Sequence, residues 1–102
     1  RARRRMEPFV ARRAKNGLLD TVMHYVYLLR SISRPDQTYI GYSGDLRKRL
    51  TQHNTGMVPH TSKFMPWTLV TYLGFDSKHR AQAFEKYLKS SSGIAFARKR
   101  LW

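Results

Sequence analysis

The amino-acid sequence predicts a small α/β domain, of the α+β type, with three short strands and at least two helices. At 102 residues the chain can form one domain with a modest core, and it is too short for two. Segments rich in aromatic and β-branched residues predict the strands, near residues 24–30, 38–42 and 67–73. Apolar residues at helical spacing predict the helices, near residues 46–55 and 78–90.

The first two strands are expected to form a hairpin. Residues 24–30 have the composition of a strand that is buried on both faces. The short connector contains Pro35 and Asp36, which favour a turn, so the second strand should return antiparallel to the first. In the second strand Tyr39 and Gly41 share one face. Gly41 has no side chain, so a ligand or a neighbouring backbone can approach closely there.

A basic helix follows the hairpin. Ser43 or Asp45 is its expected N-cap, and Gly56 is a suitable residue to end it. Arg49 and His53 are four residues apart, so they should lie on the same face of the helix. The hairpin and this helix are therefore expected to present polar side chains to one shared cleft.

The second half of the chain contributes a loop, the third strand and a further helix. The loop is predicted at residues 56–66, which have proline near both ends. Asp76 or Ser77 is the expected cap of the second helix, and residues 91–93 are expected to break it. Residues 94–102 then form a short final helix or an extended tail.

The charge of the chain points to a polyanionic partner. Lys and Arg outnumber Asp and Glu by 20 to 6, which gives a net charge of +14. Such a charge destabilises the compact state by self-repulsion and is typical of proteins that bind nucleic acid. A membrane surface or a non-specific basic surface is the alternative. The absence of cysteine excludes disulfides and favours an intracellular, cytoplasmic protein, and no apolar run approaches the roughly 18 residues of a membrane span.

Residues 1–23 are predicted to be a basic, disordered N-terminal tail that precedes a domain at 24–102. The tail holds seven Lys and Arg residues, whose mutual repulsion favours an open chain. It is either without function or an arm that binds a polyanion. The domain is basic without it, because residues 24–102 hold 13 Lys and Arg residues and only four acidic ones.

Glu85 is the one glutamate of the predicted domain. The simpler interpretation is a helical ion pair with Lys89, worth a few tenths of a kcal/mol. The alternative is a single-carboxylate site for Mg²⁺ or Mn²⁺. Mg²⁺ often takes only one or two protein carboxylates and completes its shell with water and substrate phosphate oxygens. The local sequence leaves both interpretations open.

Two tyrosines and two basic residues could form a site for phosphate chemistry. Tyr27 and Tyr39 are either core aromatics or reactive groups. A tyrosine base is difficult, because a pKa near 10 leaves about one phenol in a thousand ionised at pH 7. A nearby cation or metal-bound water would have to assist it. The guanidinium of Arg49 suits a phosphate or a pentavalent transition state, and His53 could bind phosphate, act as an acid or cap the helix end.

Further residues are candidates for contacts with nucleic acid because they are basic, aromatic or open to close approach. They are Gly41, Tyr42, Arg47, Lys48, His60, Lys63 and Lys89. The alternative for the loop residues His60 and Lys63 is an ordinary solvated position. Exposed aromatic residues such as Tyr42 or Phe64 could also stack on the bases of single-stranded DNA.

Taken together, these residues resemble the GIY-YIG nuclease family over about residues 24–96. The resemblance is carried by Tyr25-Val26-Tyr27, Tyr39-Ile40-Gly41, Arg49 and His53 on a helix, and a late helical Glu85. It is nearest to the small stand-alone bacterial members, which include UvrC-like and YhbQ-like endonuclease domains. Two features depart from the family pattern: the first motif lacks its Gly and Ile, and no Asn follows Glu85. Ser90, Ser91 or Ser92 is a candidate to replace that Asn.

The resemblance implies a three-stranded antiparallel sheet flanked by helices, and hydrolysis of phosphodiesters with one divalent metal, Mg²⁺ or Mn²⁺. By the same resemblance, Tyr27 is a general base or positions water, and Tyr39 orients the nucleophile or the phosphate. Arg49 stabilises the phosphorane, and His53 assists the phosphate or the proton path. Glu85 is the metal ligand.

The expected function is therefore that of a metal-dependent DNA endonuclease in DNA repair or processing. Structure or strand selectivity is expected rather than sequence specificity, because no zinc finger or helix-turn-helix accompanies the domain. Single-stranded, branched and duplex DNA are all possible substrates. A non-catalytic module that binds nucleic acid through the same cleft is the alternative, and a basic structural protein on RNA or a membrane is a third. No small-molecule cofactor is expected, and a protein partner is left open.

Overall fold

The computed structural model describes residues 22–102, so the predicted tail lies almost entirely outside the described residues. The elements, in chain order, are β1 (His24–Ser31), β2 (Thr38–Ser43), α1 (Leu46–Asn54), α2 (Pro59–Ser62), β3 (Trp67–Phe75), α3 (Lys78–Leu88) and α4 (Ser91–Arg100). Within residues 22–102, none of the helices has the length and apolar character needed to cross a membrane.

The three strands form one antiparallel sheet in the order β2-β1-β3. The hairpin pairs Tyr27 with Gly41 and Leu29 with Tyr39. A register shift between Leu28 and Leu29 interrupts the pairing of β1 with β3. The expected α+β fold with a three-stranded antiparallel sheet is confirmed. Because β1 is the central strand, it is covered on both faces, as its apolar composition predicted.

The alternating side chains of β1 divide the interior into two cores. Val26 and Leu28 point to one face, where residues of α3 and α4 cover them. Tyr27 and Leu29 point to the other face, where Leu46 of α1 packs against them. A three-stranded sheet thus separates α1 from α3, and each helix shields a different face.

Side-chain caps begin the three longer helices. Asp45 accepts a hydrogen bond from the backbone N–H of Lys48 at 3.1 Å, so Asp45, and not Ser43, caps α1. The Ser77 hydroxyl caps α3 in the same way, and the Ser90 hydroxyl caps α4. Each cap satisfies one of the N–H groups that a helix leaves without an internal partner.

Three regions differ most clearly from the sequence-based expectation. The predicted loop at 56–66 contains the short helix α2, which Pro59 can start because proline at the first helical position needs no N–H partner. Residues 91–93 do not break the helical region; they form the first turn of α4, behind the Ser90 cap. β3 continues two residues beyond the predicted end at Leu73, to Phe75, because β1 offers it partners as far as His24.

The buried Gly93 permits the close approach of α4 to the end of α3. A β-carbon at this position would overlap the backbone carbonyl oxygen of Tyr87 and lie 2.7 Å from the Cα of Leu88. A β-carbon at Gly44 would meet no atom within 4 Å. The α3–α4 junction therefore depends on the missing side chain.

We predict that Gly93→Ala lowers the free energy of unfolding by about 1–3 kcal/mol or more, because backbone atoms must move to admit the methyl group. Gly44→Ala is the matched control and should change it by less than about 0.5 kcal/mol. Denaturant unfolding measures both. Equal losses in the two variants would contradict the close packing described here.

Candidate functional site

A chain of buried polar groups crosses the Tyr27 face of the sheet. The Tyr27 hydroxyl lies 2.9 Å from Nε2 of His53, and Nδ1 of His53 lies 2.8 Å from the hydroxyl of Thr61. At most 2% of any of the three residues is exposed. The central strand, helix α1 and helix α2 each contribute one of the three residues, so these hydrogen bonds form only in the folded protein.

The neighbours of Thr61 indicate the direction of these hydrogen bonds. The Thr61 hydroxyl lies 3.4 Å from the carbonyl oxygen of Val58, which can only accept. A hydroxyl that donates to Val58 is free to accept the Nδ1–H of His53. Nε2 then accepts the hydroxyl hydrogen of Tyr27. With this tautomer of neutral imidazole, every hydrogen in the chain has an acceptor.

The electrostatic environment keeps both ring systems neutral. Burial lowers the pKa of His53, and the positive charge of Arg49 lowers it further. Burial is also the largest effect on Tyr27 and raises its pKa well above the usual range of a phenol. Tyr39 and Glu85 raise the pKa of Tyr27 further, while Arg49 opposes them. Arg49 and Glu85 therefore both act on the Tyr27 hydroxyl, from different helices.

Tyr39 lies against the same histidine. Its ring centroid is 4.9 Å from that of His53 and 6.2 Å from that of Tyr27. Tyr39 is half-buried, so it is the more accessible of the two tyrosines. The two strands thus place Tyr27 and Tyr39 next to each other and next to His53 of α1.

Gly41 makes room for the tyrosines and not for a ligand. It is buried opposite Tyr27 in the hairpin. A β-carbon there would overlap the Tyr27 hydroxyl and lie 2.8 Å from Cε2 of Tyr39. The expectation that Gly41 is open to a nucleic-acid ligand is wrong, because two aromatic rings already fill the space above it.

Arg49 is half-buried one helical turn before His53 and faces an open cleft of about 330 Å³. Lys48 also lines this cleft. Arg47 and Lys48 are exposed, as expected for positions off the inward face of α1. A guanidinium at this place can bind an anion that enters the cleft while its charge acts on Tyr27 and His53.

Glu85 lies on α3, which packs against the face of the sheet opposite to α1. Its carboxylate accepts a hydrogen bond from the Lys89 ammonium at 2.8 Å, and 23% of its side chain is exposed. The helical ion pair considered in the sequence is therefore present. In the structure of residues 22–102, no hydrogen bond joins Glu85 to Tyr27 or His53. Its negative charge nevertheless raises the pKa of Tyr27, so Glu85 belongs to the same electrostatic neighbourhood.

Glu85 can hold a divalent ion only as a single carboxylate. No group of three or more His, Cys, Asp or Glu residues with the arrangement of a metal site occurs in the described part of the chain. The half-buried Glu85 carboxylate already attracts a cation, the Lys89 ammonium. This donor set fits Mg²⁺ or Mn²⁺ if water and substrate phosphate oxygens supply the other ligands.

The remaining candidates for nucleic-acid contact are divided between exposed and packed positions. His60, Lys63 and Lys89 are exposed. Tyr42 is half-buried, and its hydroxyl lies 3.0 Å from Nδ1 of His24. Phe64 is half-buried and packs edge-on against Trp67. The expectation that these two aromatic residues are exposed is therefore wrong, while their stacking on bases stays a prediction.

Thr61 contacts the site through His53, although nothing in the sequence singles it out. Its carbonyl oxygen accepts a hydrogen bond from the Trp67 indole N–H at 3.0 Å, which fixes α2 against β3. The available signal was Pro59, which can start a helix and would turn Thr61 inward. A single threonine in a predicted loop gives no other indication of a buried role.

The fold and the site define a small α+β domain with a Tyr-His-Thr chain, a neighbouring arginine and one nearby carboxylate. The family model described as the GIY-YIG catalytic domain matches residues 23–96. The chain therefore belongs to the GIY-YIG family, as its resemblance to that family implied.

Known proteins similar to this chain come from different groups of organisms. A UPF0213 protein of Streptococcus pyogenes serotype M3 is 36% identical over 70% of this chain and 76% of its own length. The structure-specific endonuclease subunit SLX1 of Malassezia globosa is 47% identical over 62% of this chain, and that of Candida dubliniensis is 42% identical over 63%. The alignments span only 15% and 25% of those two relatives.

A solved structure is also similar to this chain. The solution structure of a UPF0213 protein from Bacillus halodurans aligns with 76% of this chain and 83% of its own, at 28% identity and a TM-score of 0.46. The relatives found by sequence include a small bacterial protein, as the resemblance implied, and also longer proteins from Malassezia and Candida.

We predict that His53 makes folding stability depend on pH in one direction. Its pKa is lower in the folded than in the unfolded chain, so the unfolded chain binds more protons below the usual histidine pKa of about 6.5. The contribution of neutral His53 is complete above that pH and is lost as the pH falls toward the folded pKa. The free energy of unfolding should therefore fall from about pH 7 to about pH 5, and less so in His53→Gln.

Denaturant unfolding of the two proteins at both pH values measures the difference. A proton NMR titration of the folded protein should also give His53 a midpoint below about 6.5. The same pH dependence in the wild type and in His53→Gln would contradict the neutral, buried histidine.

Proposed function

We propose that this protein is a divalent-metal-dependent DNA endonuclease that recognises DNA structure or strand form and not sequence. The observation that carries the proposal is the buried set of hydrogen bonds Tyr27–His53–Thr61, with Arg49 and Glu85 both acting on the pKa of Tyr27. Membership of the GIY-YIG family supports it. The names of the Malassezia and Candida relatives, which describe structure-specific endonuclease subunits, support the preference for DNA structure.

The proposed proton acceptor is the Tyr27 hydroxyl. Its raised pKa opposes ionisation before the reaction. Neutral His53 provides a path for the proton, because Nε2 can take the phenolic proton as the phenol takes one from the attacking water. Thr61 holds the tautomer that leaves Nε2 free. Since about 1% of Tyr27 is exposed, water must gain access to its hydroxyl when DNA binds.

Arg49 and Tyr39 contact the phosphate in this proposal. The half-buried guanidinium offers several N–H donors to the oxygens on which negative charge develops, where stabilisation is most effective. The Tyr39 hydroxyl orients the phosphate or the attacking water. Mg²⁺ or Mn²⁺ held by Glu85 would supply Lewis-acid stabilisation of the phosphate charge.

The charge of the protein supports DNA as the substrate. Thirteen Lys and Arg residues in the stretch 24–102 provide an affinity for the backbone that depends on salt and not on sequence. A role in DNA repair or processing is part of the proposal. So is a cytoplasmic location, which the absence of cysteine supports.

A second candidate function is a module that binds nucleic acid without cutting it. Two observations favour it: Tyr27 is almost closed to solvent, and Lys89 occupies the Glu85 carboxylate. In this case the cleft beside Arg49 and the basic surface bind nucleic acid without catalysis. The protein then cuts no form of DNA with Mg²⁺ or Mn²⁺.

The main test is Glu85→Gln, which keeps the shape of the side chain and removes its charge. We predict that it lowers the cleavage rate by about 100-fold or more, because several kcal/mol of metal-borne stabilisation are lost. DNA binding should change little. Asp76→Asn is the control, since it removes one negative charge at an exposed position before α3.

The measurement is cleavage of single-stranded, branched and duplex DNA with Mg²⁺ or Mn²⁺, and with EDTA. The wild type and Asp76→Asn should cut at similar rates, and EDTA should stop both. If the wild type binds these DNAs and cuts none of them, the protein is a binding module and the proposal of an endonuclease is wrong.

Removal of the Tyr27 hydroxyl tests the proton path. We predict that Tyr27→Phe lowers the cleavage rate by about 100- to 10,000-fold, the usual range for loss of a general base. Tyr72→Phe is the control, because Tyr72 pairs directly with Tyr27 in the sheet. Similar rates for the two phenylalanine variants would exclude Tyr27 as the proton acceptor.

Thr61 is a positioning residue, and its effect should be smaller. Thr61→Val should lower the rate by about tenfold and Thr61→Ser should restore it, because serine keeps the hydroxyl that fixes the tautomer. Nitrogen-15 NMR reports the protonated ring nitrogen of His53. A Nδ1–H signal that persists unchanged in Thr61→Val would contradict this role.

A further inference from the structure

A second cleft lies between the outer edge of β2 and helix α4. Its volume is about 490 Å³, within the range of roughly 300–1,000 Å³ that is typical of ligand pockets. Tyr39 lines it from β2, Lys89 from the end of α3, and Ile94 and Arg98 from α4. Trp102 completes the wall.

Two residues in the wall of this cleft contact residues of the proposed catalytic site. Tyr39 lies in its wall and also packs against His53, with 4.9 Å between ring centroids. Lys89 lies in its wall and also donates to Glu85 at 2.8 Å. A ligand in the cleft therefore contacts the immediate neighbours of His53 and of Glu85, which α1 and α3 hold on different faces of the sheet.

The chemistry of the walls suits one nucleotide. Lys89 and Arg98 can bind a phosphate, and no Asp or Glu of the described chain lines the cleft. Ile94 is 40% exposed and offers an apolar surface to a base. The guanidinium of Arg30 lies 5.4 Å from the centre of the Trp102 ring and holds that ring in place.

We propose that this cleft binds an unpaired nucleotide of a single-stranded arm that adjoins the phosphate to be cut. The bases of a duplex are paired and stacked inward, so only an unpaired base can enter a pocket of this size. Cleavage of the bound strand rests on the proposed endonuclease function. Binding of the nucleotide needs only the cleft, and Tyr42 and Phe64 do not line this cleft.

The test compares two DNAs with the same duplex, one of which carries a single-stranded arm, in EDTA so that no cleavage occurs. The wild type should bind the armed DNA about tenfold more tightly, as expected for one base that stacks on an aromatic ring, here that of Trp102. Arg98→Ala should reduce that preference several-fold and lower the slope of log affinity against log salt by about 0.7 on the armed DNA.

The controls separate a specific site from general charge. Arg100→Ala removes the same charge from the same helix, but Arg100 does not line the cleft. It should leave the preference for the arm unchanged. Ile94→Ala should reduce the preference without changing the salt slope, because it removes apolar contact and no phosphate contact.

Equal losses in Arg98→Ala and Arg100→Ala, or no preference of the wild type for the arm, would overturn the proposal. Because binding is measured without metal, the result is independent of cutting. A clear preference for the arm in a protein that cuts no DNA would support the cleft and reject the endonuclease.

Discussion

The hydrogen bond between Tyr27 and His53 is the constraint on which the rest of the site depends. Both groups are buried in the middle of a sheet face, where an unpaired polar group costs about 1–3 kcal/mol. The second ring nitrogen of His53 needs a partner for the same reason, and Thr61 provides it. Thr61 in turn requires helix α2, which the Trp67 indole fixes to the sheet. The need to pair Tyr27 and His53 thus accounts for the ordered position of Thr61 within the segment 56–66.

The sheet divides the charged groups of the site between two layers. Helix α1, which carries Arg49, packs on one face, and α3, which carries Glu85, packs on the other. Both charges nevertheless act on the pKa of Tyr27, in opposite directions. The central strand of the sheet thus carries the residue on which charges from both helical layers act.

Much of this architecture was predictable because it depends on local composition. The three strands, the α1 and α3 helices and the union of Tyr27, Tyr39 and His53 follow from alternation, helical spacing and a short hairpin connector. The choice of Asp45 over Ser43 as cap depends on backbone geometry that composition does not determine.

The errors concern positions that depend on contacts distant in sequence. Thr61 acquires its role from His53 and Trp67, neither of which is adjacent to it. Gly41 appeared open because the rings that fill its space come from another strand and from a residue two positions away. Gly93 suggested the end of a helix. In the structure Gly93 lies inside α4, because the close packing of α4 against the end of α3 leaves no room for a side chain there.

The position of the second cleft has a consequence for the behaviour of the protein at high concentration. β2 is an edge strand, and edge strands can pair with a strand of another molecule and start aggregation. Lys89 and Arg98 stand beside this edge on a chain with a net charge of +14, so a second copy meets like charge there. The same cations that suit a phosphate therefore also oppose pairing of β2 with a strand of a second copy.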